Sequence, residues 1–240
     1  MSTTTTEIPK PTISEIAAQT PSSIRVFESL GIDYCCGGNR TLTEACAHGG
    51  IDASSVIELL AKAERDSQPS SQTQWTEAPL VDLIKEIVER HHSFVRREIP
   101  RLNALATKVA NRHAENHPET REIQQVFAAL GEELTPHLMK EEQLLFPYIS
   151  GMEGAGTPPV SYFGTVGTPI ANMAAEHEDA GALLARLREL TNGYRTPAGG
   201  CQSFQALYQG LADFERDLHQ HIHLENNILF PRAIELERGQ

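Results

Sequence analysis

The sequence predicts an all-α protein, a small N-terminal helical domain followed by an antiparallel four-helix bundle. Three observations carry this. From about residue 78 onward the chain shows four long stretches of helical period and no convincing strand alternation. Short helical patterns broken by glycine fill the segment from Ile13 to Ala63. Between the two lies RDSQPSSQTQ, residues 65–74, polar and rich in Ser and Gln. The expected layout is an N-terminal domain at 1–66, a linker at 67–77 and the bundle at 78–240.

Each element has a local reason. Residues 1–12 form a polar tail containing proline. Thr20-Pro21-Ser22 reads as a helix start and Leu30-Gly31 as a stop, with further breaks at Gly37–Gly38 and Gly49–Gly50. The first bundle helix is expected at about 79–112, with Val81, Ile84, Val88, Val95, Ile99, Leu102 and Val109 on one stripe and a kink at Pro100. The second spans about 118–149 and is followed by a Gly/Pro-rich connection, SGMEGAGTPPVSYFGTVGTP. The third spans about 170–192, and after NGYRTPAGG the fourth spans about 202–237. Four amphipathic helices joined in this way pack most economically as a bundle.

Composition narrows the function. Thirty-two acidic residues against 20 basic ones leave a net charge of −12, which argues against a protein that grips nucleic-acid phosphates or anionic lipid. The opening MSTTTTEIPKPT has no apolar signal core, and no stretch approaches the roughly 18 apolar residues of a membrane span. Four cysteines, two of them adjacent, do not make a disulfide framework. A cytoplasmic, reducing location is expected.

The chemistry lies in the histidines, of which there are 10 against one tryptophan. The second bundle helix has its seam at Ile123, Phe127, Leu130, Leu134, His137, Glu141, Leu144 and Tyr148. The fourth has Phe204, Leu207, Leu211, Phe214, Leu218, His221, Glu225 and Ile228, on the same steps of three and four. In both, a His and a Glu four residues later stand where the pattern demands apolar side chains. The third seam, Ile170, Met173, His177, Leu184 and Leu187, carries one more His, and His91 and His92 lie on the first helix. A desolvated carboxylate costs several kcal/mol unless it is paired or bound to a cation. Residues at i and i+4 stack roughly 6 Å apart along a helix, so each HxxxE pair reaches one metal or two adjacent ones. Imidazole with carboxylate suits first-row metals.

The spacing repeats. His92 to His137 is 45 residues and His177 to His221 is 44, and HLMKEEQLLFP (137–147) matches HIHLENNILFP (221–231) at His, Glu, Leu, Phe and Pro. Two copies of one hairpin, each giving two His and one Glu, predict two equivalent half-sites on facing hairpins. Each metal would take two imidazoles, with both carboxylates bridging and some positions left open. Zinc more often takes a single tetrahedral site, so a di-iron centre is expected. The periodicity leaves His91 and His92 open: it slightly favours His91, and the repeat arithmetic favours His92. Among the rest, His117 and His219 lie off the seams and read as solvated, and His223 as structural or exposed. His113, about 31 Å beyond His92 along a straight helix, reads as packing. Glu142 and Glu178 adjoin ligand positions and default to surface or outer roles.

Cys35 and Cys36 are flanked by Gly37 and Gly38. Adjacent thiols chelate one metal poorly and bridge only with strain. Two readings stand: a turn with half-buried thiols, or transient thiol chemistry toward iron, a nitrosyl group or a partner's sulfur, with the glycines letting that partner approach. Cys46 and Cys201 read as packing residues.

With DYCCGG (33–38), RHH near 90, ATKVANRHAENHPE (106–119), HLMKEEQLLFP, EH at 176–177 and HIHLENNILFPRA in hand, the chain resembles the Repair of Iron Centers family. These are di-iron, hemerythrin-like proteins linked to recovery of iron–sulfur enzymes after nitrosative and oxidative stress, and the resemblance covers nearly the whole chain. It implies iron ligands at His92, His137, Glu141, His177, His221 and Glu225, which turns the first-helix choice toward His92. It further implies two irons bridged by carboxylate and oxo groups, a hemerythrin-like bundle and iron–sulfur proteins as clients. Nitric oxide or O2 would be the small ligands, and Cys35 and Cys36 would have a thiol role. No counterpart of the extra His of hemerythrins proper is evident, so a simple oxygen carrier is not expected. Reduction of nitric oxide to nitrous oxide, or sensing of NO or O2, are the competing functions. A monomer or homodimer is expected.

Overall fold

Helix caps set the frame of the N-terminal unit. In this computed structural model, which describes residues 10–66, 75–154 and 163–239, Thr12 accepts the Glu15 N–H while the Glu15 carboxylate accepts that of Thr12. Thr41 and Glu44 repeat the arrangement. These boxes start α1 (Ile13–Gln19) and α3 (Leu42–Gly49). Between them, α2 (Ser22–Leu30) begins directly after Pro21, without a side-chain cap, and stops at Gly31, whose φ of 68° is left-handed. The last helix of the unit is α4 (Ala53–Asp66). An isolated bridge ties Thr12 to Thr41, and Ile13, Phe27, Tyr34, Cys46 and Val56 form the core.

The chain divides into two units, Met1–Thr76 and Glu77–Gln240. Most of the polar tail, residues 67–74 of the expected linker and the middle of the Gly/Pro-rich connection lie outside the described residues. That connection is shorter than the sequence suggests, because helix runs on through Gly154 and resumes at Gly167. No strand occurs among the described residues.

The second unit holds four long helices, and three of them share one irregularity. Helix α5 runs Leu80–Glu86, a wide π-helical turn at Ile87–His92, then Ser93–His113. Helix α6 runs Glu119–Lys140, a wide turn at Glu141–Leu145, then Phe146–Gly154. Helix α7, Gly167–Leu190, has no such turn. Helix α8 runs Gln202–Leu224, a wide turn at Glu225–Leu229, then Phe230–Arg238. In α6 and α8 the Phe146 and Phe230 N–H groups reach back five residues to the carbonyls of Glu141 and Glu225. Pro147 and Pro231 follow at once and have no N–H to donate to an ordinary turn.

A wide turn inserts one extra residue, so the inward face slips by one position. On α6 this explains the one place where the expected seam fails. Leu144 is 62% exposed while Leu145 is buried. On α5, Val81 is exposed and Val88 and Ile99 half-buried, with Leu80, Leu83 and Ile87 inside instead, and His91 and His92 are both buried. The seams of α7 and α8 are buried throughout.

Antiparallel packing follows from the pairings. Gln124 near the start of α6 bonds Thr107 near the end of α5, and Glu142 late in α6 bonds His92 early in α5. Likewise Arg186 of α7 meets Glu122 while Glu176 meets His137, and His113 meets Cys201 while His91 meets Asp217. The ends are tied in matched fashion. The Glu153 carboxylate accepts the first N–H groups of α5, at Leu80 and Val81, and Glu237 accepts that of Val166 before α7. At Gly210 an added Cβ would come within 2.5 Å of buried Leu102, so glycine there permits the close approach of α5 and α8.

Candidate metal centre

The three wide turns meet at one level of the bundle and aim side chains into its middle. His92 ends the turn of α5, and Glu141 and Glu225 begin those of α6 and α8. His137 and His221 stand one α-turn before the glutamates, and His177 comes from regular α7. All six are buried, with both glutamates at 0% exposure. The structure thus brings together all six residues that the resemblance implies as ligands, with His92 among them and not His91, which the periodicity slightly favoured.

They form two groups of four: His92, Glu141, His221 and Glu225, and His137, Glu141, His177 and Glu225. Within each group one donor atom per residue lies within 4.8 Å of the others. The two Nε2 atoms are 3.1 Å apart for His92 and His221, and 3.0 Å for His177 and His137. Glu141 Oε2 is 3.5 Å from His92 Nε2 and 3.4 Å from His137 Nε2. Glu225 lies 3.0 Å from His221 and 3.2 Å from His177. Both carboxylates therefore belong to both groups. The half-sites are not one per hairpin, as the repeat alone suggested. Each takes one imidazole from each repeat, because α5 packs on α8 and α6 on α7 at this level.

The outer contacts fix the imidazoles. His92 Nδ1 meets Glu142 at 2.6 Å, and Glu142 also takes Arg96 at 2.8 Å. His137 Nδ1 meets Glu176 at 2.8 Å, and Glu176 is paired with Lys140. His177 Nδ1 meets Asn226 Oδ1 at 2.8 Å. With Nδ1 carrying the proton, Nε2 presents its lone pair inward, the arrangement a metal-bound imidazole needs. His91 Nδ1 bonds Asp217 at 3.1 Å, and its ring stacks on His221.

Electrostatics point the same way. Burial drives His221 down to about 3 and lowers His137, so both stay neutral. Burial first, then the charge of Glu225, pushes Glu141 well above the usual carboxylate range. Burial also works to raise Glu225, but His221, His177 and His92 outweigh it and hold Glu225 well below that range. Both oxygens of Glu141 and one of Glu225 are buried without a hydrogen-bond partner. Orphan carboxylate oxygens in an apolar interior mark a place for a cation, and neutral imidazole with carboxylate fits iron.

Some single-residue expectations change. His117 is half-buried, its ring edge-on to Phe204 and Nδ1 on Glu119, and His219 is half-buried too. His223 is buried against Asn227. Cys46 is buried, but Cys201 is exposed at the start of α8, 3.2 Å from His113 Nε2. Glu178 is exposed, as expected of a surface residue, whereas Glu142 takes the outer role. Sequence reasoning missed Glu176, Asn226 and Asp217. The available signal was adjacency, since Glu142, Glu176 and Asn226 each flank a candidate ligand on one helix and bond an imidazole on the helix before it.

In the N-terminal unit, Asp33 accepts the backbone N–H groups of Cys35, Cys36 and Gly37. Cys35 is buried and Cys36 half-buried, their sulfurs 3.7 Å apart. The Cys36 hydrogen bond, with burial, pushes the Cys35 thiol well up. The glycines serve the turn itself. A Cβ on Gly37 would meet Asp33 Oδ2 at 2.9 Å, and one on Gly38 would meet the Tyr34 carbonyl at 2.7 Å.

No helix among the described residues is long and apolar enough to cross a membrane. Residues 83–233 match the family model of the hemerythrin HHE cation binding domain, and residues 10–64 match a domain of unknown function, DUF542. The chain is 39% identical over 223 residues to the iron–sulfur cluster repair protein YtfE of Pectobacterium atrosepticum, spanning 92% of this chain and 96% of the relative. It is 36% identical over 222 residues to the protein of the same name from Escherichia coli O81, with the same shares covered. With both modules in this order and that likeness along nearly its whole length, the chain belongs to the Repair of Iron Centers family.

Proposed function

We propose that this is a di-iron protein that restores iron–sulfur clusters damaged by nitrosative or oxidative stress, working in the cytoplasm on iron–sulfur proteins as clients. The observation that carries the reading is the pair of four-donor groups sharing Glu141 and Glu225, with carboxylate oxygens buried and unpartnered. The names of the relatives supply the process. His92 and His221 would hold one iron, His137 and His177 the other, and both glutamates would bridge.

The chain's own residues prepare the site in three ways. Glu142, Glu176 and Asn226 hold the Nδ1 protons of His92, His137 and His177, keeping each Nε2 free to bind. Phe146 stacks on His92 and Phe230 on His177, keeping water away from the imidazole faces. Four protein donors per group leave further positions for a small ligand such as NO or O2. Iron supplies a redox-active Lewis acid there and, as cargo, the atom a damaged cluster lacks. Imidazole and carboxylate release it more readily than a thiolate cage would. Of the two adjacent thiols, the half-buried Cys36 is the one placed for a transient thiol step.

Metal analysis of the purified protein should give two irons per chain. The iron-loaded protein should restore activity to a [4Fe–4S] enzyme inactivated by NO, while the metal-free protein should not. One tightly held zinc, or no recovery, overturns the proposal. The shared carboxylates, which place two metal positions side by side, also favour a second reading: 2 NO + 2 e⁻ + 2 H⁺ → N2O + H2O. Gas chromatography after NO is added to the protein with a chemical reductant in excess, which supplies two electrons per turnover, decides it, since nitrous oxide formed over repeated turnovers would favour the enzyme.

A further inference from the structure

One of the four inward imidazoles lacks what the other three have. His92, His137 and His177 each place Nδ1 on an acceptor, whereas His221 Nδ1 is buried with no partner. The internal repeat shows what is missing. Glu142 and Asn226 both follow a bridging glutamate, and they serve His92 and His177, which are equivalent positions. Glu176, which precedes His177, serves His137. The residue that precedes His92, and so by the same rule should serve His221, is His91.

His91 does not take that role, since His221 Nδ1 is left without a partner. His91 lies stacked on His221, centroids 5.8 Å apart and planes within 12°, and its Nδ1 is 3.1 Å from Asp217 Oδ1. Asp217 stands one turn before His221 on α8, and its other oxygen, Oδ2, is also buried without a partner. Two orphaned polar atoms, a donor and an acceptor, thus belong to residues at i and i+4 on one helix, next to a ring that contacts both residues. The matching position before His137 is Glu133, which is exposed. The first repeat therefore has no use for an acid there.

We propose that Asp217, held by His91, is the outer acceptor for His221 and so the positioning residue for the metal of the His92–His221 half-site. This rests on the two-metal reading above. It makes the half-sites unequal: one is held by side chains flanking the ligands, the other partly by a borrowed carboxylate.

The test compares wild type with Asp217→Ala, His91→Phe, which keeps the stack but not the bond, and Asp217→Ala combined with His91→Glu. Circular dichroism checks the folding of each. Each protein is loaded with iron(II) and challenged with a chelator, and iron loss is followed. Proton NMR of the loaded protein follows the solvent-exchangeable Nδ1–H signals. In Asp217→Ala and His91→Phe one iron of two should leave about ten times faster, the scale expected when an outer partner of a metal-bound His is lost. One Nδ1–H signal should disappear by exchange, and the His91→Glu double variant should restore retention by returning the carboxylate of the other repeat. Unchanged iron loss in folded Asp217→Ala, or equal loosening of both irons, overturns this inference while leaving two irons in wild type. Wild type that takes up fewer than two irons overturns the two-metal reading as well.

Discussion

At the residue scale, a carboxylate without a partner in an apolar bundle is a burden on the metal-free fold, and Glu141 has two such oxygens. Its pKa is raised, so the folded state holds a proton the unfolded state gives up, and the cost grows as pH rises above about 4.5. Glu141→Gln should therefore raise the melting temperature of the metal-free protein at pH 7 by a few degrees, the shift about 1 kcal/mol gives a domain of this size. The same change should cost tenfold or more in iron affinity by titration, because a carboxylate common to both donor groups is lost. His221 has the opposite sign. Its pKa falls to about 3 on folding from 6.5, so it costs nothing above that pH and destabilises as pH drops toward 3. In the Glu141→Gln background, metal-free melts should thus be lower at pH 5 than at pH 7. Residue-level reading from sequence reached the inward ligand positions because a His or Glu in an apolar seam stands out by contrast. It missed Asp217, Asn226 and Glu176 because an outer acceptor sits where any polar residue is ordinary. Burial also ranks the thiols. Iodoacetamide with mass spectrometry should label Cys201 and Cys36 before Cys35 and Cys46.

At the element scale, the helices were legible and their irregularities were not. Steps of three and four predict a straight apolar stripe, and they hold along α8 and α7. On α6 they fail at Leu144, inside the wide turn, which adds a residue that no periodicity of 3.6 contains, while Tyr148 beyond it stays buried. The prediction separates the two registers. Leu145→Ala should destabilise by about 2–5 kcal/mol as a buried leucine truncated to a cavity. Leu144→Ala, at 62% exposure, should stay within about 0.5 kcal/mol. Denaturant melts of both variants check this, and equal effects would mean that α6 keeps an unbroken α-helical register. Pro147 and Pro231 were visible in the matched LFP segments all along, but a proline within a helix pattern signals a defect without saying which kind.

At the scale of the whole molecule, every candidate ligand and every outer acceptor falls within Glu77–Gln240, which has its own core. A fragment of residues 77–240 should fold cooperatively and bind two irons per chain, measured by circular dichroism and metal analysis. Loss of one or both irons on removing the N-terminal unit would show that the centre needs it. The charge of −12 is spread over a chain whose buried acids are few, so most of that charge faces water.

The crossed pairing of imidazoles has a further effect. Since His92 shares its group with His221 and His137 shares its group with His177, a hairpin on its own holds two histidines that, in the two-metal proposal, would serve different ions. Iron bound in that way would reward neither half separately; it would act as a clasp that closes only when both halves have met. Stripping the metal should consequently be felt first as a loosening between the halves, before either hairpin comes apart.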